Sequence, residues 1–123
     1  MKRSTLKLLL PIVAITVQTN SAATMIPPFL HDLRIPVALI GTLISLGPIF
    51  ALTSRLPVGM IYSRNRARML ISFAVLAMGC THFFYSFAAD SLTFAIVHSL
   101  NGFAYGAVTT LYMAFYLCTH WGI

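Results

Sequence analysis

Long apolar stretches alternate with short polar connections along the chain. When the sequence is divided at its charges and prolines, four stretches emerge, at about residues 7–29, 37–57, 69–88 and 92–118. Each is close to the roughly 20 residues that a helix needs to cross a bilayer. The connections are short, so neighbouring helices are expected to run antiparallel. The pattern predicts an all-α, polytopic membrane protein with four transmembrane helices in a single region, residues 1–123.

Composition supports a membrane location. Hydrophobic residues make up 59% of the chain and charged residues 8%, whereas a soluble domain has about 45–50% and 25%. A soluble core of this size could not bury so much apolar surface, so lipid is the expected partner. The formal net charge of +6 does not indicate nucleic acid binding, because the bases flank apolar runs instead of forming a basic, aromatic face.

The distribution of basic residues predicts an orientation in the cell membrane. With both termini in the cytoplasm, only Arg34 lies outside, and Trp121 is placed to anchor the C-terminal tail at the inner interface. The remaining basic residues then lie inside or near the inner boundary: Lys2, Arg3, Lys7, Arg55, Arg64, Arg66 and Arg68. This asymmetry is typical of a multi-pass protein that follows the positive-inside rule.

The first segment also has a second interpretation, as a signal peptide. Its basic start, the apolar run Leu8–Val17 and the small residues at 21–23 fit such a peptide. Cleavage would leave three helices with the same inner placement of the arginines. Because apolar character resumes from Ala22 to Leu30, however, the whole run is long enough to span.

Polar residues inside the segments are the candidate functional groups. Gln18, Asn20 and their neighbours interrupt the first helix, and we expect them to line a solute site or to form hydrogen bonds between helices. His82 and His98 lie in the third and fourth segments, where they would relay protons, contact a ligand or remain neutral and hydrogen-bonded.

Small residues predict close helix packing in the fourth segment. Gly102, Gly106 and Thr110 recur at steps of four, which keeps them on one face where two backbones can approach. The sequence leaves open whether the neighbour belongs to the same chain, and self-association through this helix is one possibility. In the second segment, Gly47 and Pro48 are expected to loosen or kink the helix.

The stretch Arg55 to Arg68, R-L-P-V-G-M-I-Y-S-R-N-R-A-R, resembles the cytoplasmic signature of the major facilitator superfamily. In this match Gly59 takes the glycine position, Arg64 the first basic position and Arg68 the last. Ser63 stands where the family usually has Asp. The run Met25 to Leu43 is similar to the family's passage from its first to its second helix.

In the fourth segment, H-S-L-N-G resembles the family's R-x-x-Q-G element, with His98 at the arginine position and Asn101 at the glutamine position. The resemblance implies a partial major-facilitator-like helical bundle in which the first and fourth helices line a central cavity. It further implies that Gln18, Asn20, His98 and Asn101 contact a small solute, and that Gly59, Arg64 and Arg68 act at a cytoplasmic gate.

The family has about twelve helices, so the resemblance implies that these four represent the N-terminal portion of a secondary active transporter, a truncated fragment of it. The alternative is a self-contained four-helix membrane protein that acts by helix association or as a small dimeric exporter. An enzyme is not expected, because no nucleophile, base and orienting group fall into a recognisable spacing. No metal-binding or cofactor-binding motif is present, since Cys80 and Cys118 lack the spacing of metal ligands.

Overall fold

A computed structural model describes residues 3–120 of the chain, and its side chains from residue 10 to residue 119. It contains four helices: α1 (Arg3–Asp32), α2 (Val37–Ile61), α3 (Ala67–Phe84) and α4 (Ser91–His120). A single 3₁₀ turn, Tyr85–Phe87, follows α3. No strand occurs in this part of the chain, so the described fold is all-α, as predicted. Lys2 and Trp121, to which the sequence assigned an inner position, lie outside the described residues.

The helices match the predicted segments in number and order, but their ends differ. α2 continues through Pro57 to Ile61, and α1 continues through Pro27 and Pro28 to Asp32. A proline inside a helix removes one N–H donor and crowds the preceding turn, which weakens the helix without always ending it. Dividing the sequence at prolines and charges therefore placed these predicted ends too early.

The two even-numbered helices meet along a seam of small residues. A Cβ added to Gly102 of α4 would meet the backbone of Gly47 on α2, and one added to Gly106 would meet Ala51 and Ser54. Residue numbers rise together on the two helices, so α2 and α4 run parallel. Close approach of two backbones requires such small residues. The neighbour of the small-residue stripe thus lies within the same chain.

Thr110, one turn beyond Gly106 on α4, is half-buried. Its hydroxyl donates to the backbone carbonyl of Gly106 at 2.8 Å, so its polar group is satisfied within its own helix. Because α2 already covers Gly102 and Gly106, a second copy that used this face for self-association would have to displace α2.

Contacts of the odd-numbered helices show that they run in the opposite direction. Tyr85, just after α3, contacts His98, whereas Met78 of α3 packs farther along α4 against Val108. On α1, Phe29 packs against Phe94 near the start of α4, with ring centroids 6.2 Å apart. The four helices therefore alternate in direction, as their short connections predicted.

Charged residues lie mainly at the two ends of this bundle. We call the end where α2 stops and α3 starts the basic end; its arginines are Arg64, Arg66 and Arg68. The opposite end, which we call the acidic end, carries the two acidic residues of the chain and one base: Asp32, Arg34 and Asp90. The alternating helix directions are what collect these residues into two separate groups.

Asp90 begins the last helix from the acidic end. Its carboxylate Oδ1 accepts a hydrogen bond from the backbone N–H of Thr93 at 2.8 Å, which is the geometry of a helix N-cap. Hydrogen bonds from the side chain of Thr93 and then from its backbone N–H lower the pKa of Asp90, because they stabilise the ionised carboxylate.

Large apolar side chains cover much of the outer surface. Met60 is 86% exposed, Leu56 79% and Phe73 64%. Two helical stretches, Val37–Ile61 and Ala67–Phe87, are long and apolar enough to cross a membrane. The 30-residue helices α1 and α4 are long enough but less apolar. Apolar surface and two candidate spans favour a membrane environment for this chain.

The first helix is attached mainly at the acidic end. Leu30 is fully buried there, in a cluster with Ile35, Leu43 and Phe94. Nearer the basic end, Ile15 packs against the cluster around Val108. Between these two attachments α1 stands apart from α2 and α4, and the space that is left forms a pocket.

Candidate functional site

A pocket of about 440 Å³ lies between α1, α2 and α4. Its wall is formed by residues within 19–26 of α1, 44–55 of α2 and 98–105 of α4, together with Tyr85. The volume is in the range of small-molecule sites, and the wall is mostly apolar with a few polar groups, as is common for such sites. Those polar groups are Thr19, Arg55, Tyr85, His98, Asn101 and Tyr105.

Three further pockets are similar in size, at about 450, 410 and 440 Å³. Their walls contain no charged side chain and no imidazole among the described residues. The pocket at α1, α2 and α4 is therefore the better candidate for binding a polar or charged solute.

His98 is held in the wall of this pocket by two hydrogen bonds. Its Nε2 lies 3.1 Å from the carbonyl oxygen of Ile44, and its Nδ1 lies 2.6 Å from the hydroxyl of Tyr85. A carbonyl only accepts, so Nε2 carries a hydrogen and donates it to Ile44. In the neutral ring Nδ1 then accepts from the Tyr85 hydroxyl. Both ring nitrogens are thus engaged within the protein.

The backbone of α2 explains why a histidine side chain fits here. In an unbroken helix the carbonyl of Ile44 would accept from the N–H of residue 48, but Pro48 has no N–H. His98 supplies the missing donor from the neighbouring helix. Gly47 makes room for the ring, since a Cβ at that position would lie 2.6 Å from Nε2 of His98. Gly47 and Pro48, predicted to loosen the helix, thus give the His98 ring space and a free carbonyl to bind.

Asn101, one turn after His98, is also buried and hydrogen-bonded. Its amide lies 2.9 Å from the hydroxyl of Thr81 on α3, and that hydroxyl lies 2.8 Å from the carbonyl of Met78. The Thr81 hydroxyl has one hydrogen, which it shares between two acceptors, Oδ1 of Asn101 and the carbonyl of Met78. The Asn101 side chain also hydrogen-bonds the Tyr85 side chain, and it lines the pocket.

The polar patch of α1 contributes one residue to the pocket, Thr19, instead of the two predicted. Gln18 and Asn20 are exposed, and Asn20 donates to the carbonyl of Thr16 on its own helix at 2.8 Å. Two residues apart on a helix point about 200° away from each other, so Gln18 and Asn20 cannot share one face. The structure brings His98 and Asn101 together at this pocket and leaves Gln18 and Asn20 away from it.

The predicted gate residues lie at or near the basic end, apart from the pocket. Gly59, Arg64 and Arg68 are exposed, and no atom lies within 4 Å of a Cβ built on Gly59. Among the described residues, Gly59 therefore makes no close helix-to-helix contact that would require a glycine. Arg55, two turns before the end of α2, is the arginine of this stretch that reaches the pocket.

Tyr85 stands between the two histidines. Its ring centroid is 6.1 Å from that of His82 and 6.2 Å from that of His98. His82 Nδ1 donates to the carbonyl of Met78 at 2.8 Å, while its buried Nε2 has no hydrogen-bond partner among the described residues. Sequence reasoning missed Tyr85 because it lies inside the predicted apolar segment 69–88, where the pattern does not separate it from its neighbours.

Gly47, Pro48 and Arg55 could have been connected to the site from sequence. A mid-helix proline frees a carbonyl four residues earlier, and residues 47, 48, 51 and 55 recur on one helix face. The described residues contain no cluster of three His, Cys, Asp or Glu side chains that could hold a metal ion. No family model, curated protein or solved structure matches the chain.

Proposed function

We propose that this chain takes part in membrane transport of a small solute, as part of a helical bundle of the major facilitator type. The pocket between α1, α2 and α4 is the solute site, and it carries the proposal. The pocket is large enough for a small solute and has a few polar groups in its wall. The outer surface of the bundle carries many exposed apolar side chains, which suits a membrane protein.

The arrangement of the bundle supports this proposal. The resemblance places the first and fourth helices at a central cavity, and α1 and α4 form two sides of the pocket. In this proposal all four helices cross the cell membrane, with both termini and the basic end in the cytoplasm.

Asn101 contacts the solute in this proposal, and Thr19 takes the place predicted for Gln18 and Asn20. His98 shapes the wall, because both of its ring nitrogens are already paired. Arg64 and Arg68 act at the basic end, where their positions suit contact with lipid phosphates.

A substitution that fills the pocket tests the proposal. Ala22 lines the pocket on α1, whereas Ala14 on the same helix is exposed and lines none of the described pockets. The full chain in lipid vesicles is assayed for saturable binding and flux of a labelled panel of sugars, amino acids, organic acids and organic amines. We expect at least one class to bind, Ala22→Phe to remove that binding, and Ala14→Phe to retain it.

Equal behaviour of Ala22→Phe and Ala14→Phe would show that the pocket does not hold the solute. Absence of saturable binding across the whole panel would count against transport. The association alternative would then lead, and it would be supported by a stable oligomer of the chain in the same vesicles.

A further inference from the structure

Arg55 alone carries a formal charge among the described residues that line the pocket. It lies eight residues after Gly47 on α2, which corresponds to about 12 Å along the helix axis. A guanidinium is charged at all physiological pH values. In apolar surroundings it is costly unless an anion or water compensates it.

The chain offers no side-chain carboxylate to compensate this charge. Its two acidic residues are Asp32 and Asp90. Both are exposed at the acidic end, whereas Arg55 lies toward the basic end. No ion pair to Arg55 occurs among the described residues. Arg55 is exposed and has no counter-charge among the described residues, so its guanidinium is open to a bound anion or to water.

The rest of the pocket suits an apolar body more than a second charge. Toward the acidic end its wall contains Ile26 and Ile44, and the rings of Tyr85 and His98. The polar atoms of these two rings are paired with each other or with the backbone. They present ring surface to a ligand. The pocket thus has one cationic pole at Arg55 and an apolar pole about two helical turns away.

We propose that the pocket binds a small amphipathic monoanion, with its oxyanion at Arg55 and its apolar body toward Tyr85 and His98. This inference rests on the proposed function, since it names the substrate class of the same site. Arg55 is well suited to the task because a guanidinium donates two parallel hydrogen bonds to a carboxylate or phosphate. A free organic acid and the phosphodiester of an anionic lipid share this chemistry.

Three ligands of nearly equal shape test the charge preference. Benzoate, benzamide and benzamidine carry charges of −1, 0 and +1 at neutral pH. Their binding is measured on the full chain in phosphatidylcholine vesicles. We expect benzoate to bind at least about tenfold more tightly than the other two, as one charge-assisted hydrogen bond pair provides.

Variants of two arginines locate the preference. Arg55→Gln should bring benzoate down to the affinity of benzamide, while retained benzamide binding shows that the variant is folded. Arg55→Lys should keep part of the preference. Arg66→Gln removes the same charge from the basic end, away from the pocket, and should leave the preference unchanged.

A second set of vesicles identifies the source of the oxyanion. When about a third of the lipid is phosphatidylglycerol, unchanged benzoate affinity means that the site takes a free organic acid. Loss of benzoate binding with this lipid, in the wild type and in Arg66→Gln alike, means that a lipid phosphodiester occupies the site. Either result supports an oxyanion with an apolar body as the ligand.

Absence of benzoate binding, equal binding of the three ligands or preference for benzamidine would overturn the inference. A different result would overturn the proposed function. It fails if no solute in the wider panel shows binding that Ala22→Phe removes. A neutral or cationic solute that Ala22→Phe excludes would leave the transport proposal standing while the anion inference is lost.

Discussion

His98 connects three parts of the bundle through one side chain. It lies on α4, donates to the carbonyl of Ile44 on α2 and accepts from Tyr85 after α3. The carbonyl of Ile44 is available because Pro48 cannot donate to it. A defect in one helix is therefore compensated by a side chain from another, which links the helix geometry of α2 to its position against α4.

A double-mutant cycle tests this compensation. His98→Leu leaves the carbonyl of Ile44 without a donor, whereas Pro48→Ala provides a backbone N–H for it. We expect His98→Leu to lower the free energy of unfolding by about 1–2 kcal/mol in the wild type. The loss should be clearly smaller in the Pro48→Ala background. Reversible unfolding of the four proteins in mixed micelles measures both values.

Tyr85→Phe provides the control for this cycle. It removes the other hydrogen bond of His98 but does not involve the carbonyl that Pro48 leaves free. Its effect should therefore be the same with Pro48 and with alanine at position 48. If His98→Leu costs equally in both backgrounds, the ring does not compensate for Pro48.

At the scale of elements, the seam between α2 and α4 holds the bundle together. This pair makes the most extensive helix-to-helix contact in the described chain. Buried Ser54 illustrates how a polar group is accommodated in the seam, because its hydroxyl donates to the carbonyl of Ala51 at 2.9 Å. In a membrane, where lipid competes for apolar contact, close packing of this kind is a main source of helix association.

Two glycines that differ in their surroundings test the seam. Gly102→Ala places a methyl group against the backbone of Gly47, while a Cβ on Gly79 of α3 meets nothing within 4 Å. We expect Gly102→Ala to lower the free energy of unfolding by about 1–3 kcal/mol, as overpacking usually does. Gly79→Ala should have no effect or stabilise by up to about 1 kcal/mol through helix propensity.

Unfolding in micelles followed by circular dichroism measures both glycine variants under one set of conditions. If the Gly102→Ala protein is as stable as the Gly79→Ala protein, α2 and α4 are not in close contact where Gly102 faces Gly47. The stripe on α4 would then be free for a second copy of the chain.

At the scale of the molecule, helix direction and charge act together. Alternating helices bring the arginines of the loop after α2 to one end and both acidic residues to the other. Basic residues are retained on the cytoplasmic side during membrane insertion, so the basic end should face the cytoplasm. Under the proposed topology, the two less apolar helices, α1 and α4, should also cross the membrane, beside α2 and α3.

Cysteine labelling tests this topology in a background with Cys80→Ser and Cys118→Ser. We expect a membrane-impermeant maleimide to label His31→Cys and Ser86→Cys in intact cells, because these positions lie at the acidic end. Ser63→Cys and Thr119→Cys should be labelled only after permeabilisation. Labelling of Thr119→Cys from outside would mean that α4 does not cross the membrane.

Much of the fold could be predicted from local patterns. Apolar runs predicted four helices in the observed order, and the steps of four at Gly102 and Gly106 predicted a packing face on α4. These features depend on residues close together in the chain, so the sequence displays them directly. The predicted helix ends at about residues 29 and 57 were too early, because proline weakens a helix by an amount that tertiary contacts can offset.

The candidate site needed the tertiary structure. A polar patch such as Gln18–Ser21 gives no information about which side faces a neighbour, and the rotation of α1 selects Thr19 for the pocket. The same holds for Tyr85 and His98, which come together from different elements.

The sequence by itself determined the helical class, the apolar surface and the segregation of charge along the chain, because these follow from composition and short-range periodicity. Only the tertiary structure decided that α2 is the partner of the small-residue stripe and that His98 caps the carbonyl freed by Pro48. Both depend on how each helix is rotated about its axis and which helix it meets, and long-range packing sets these.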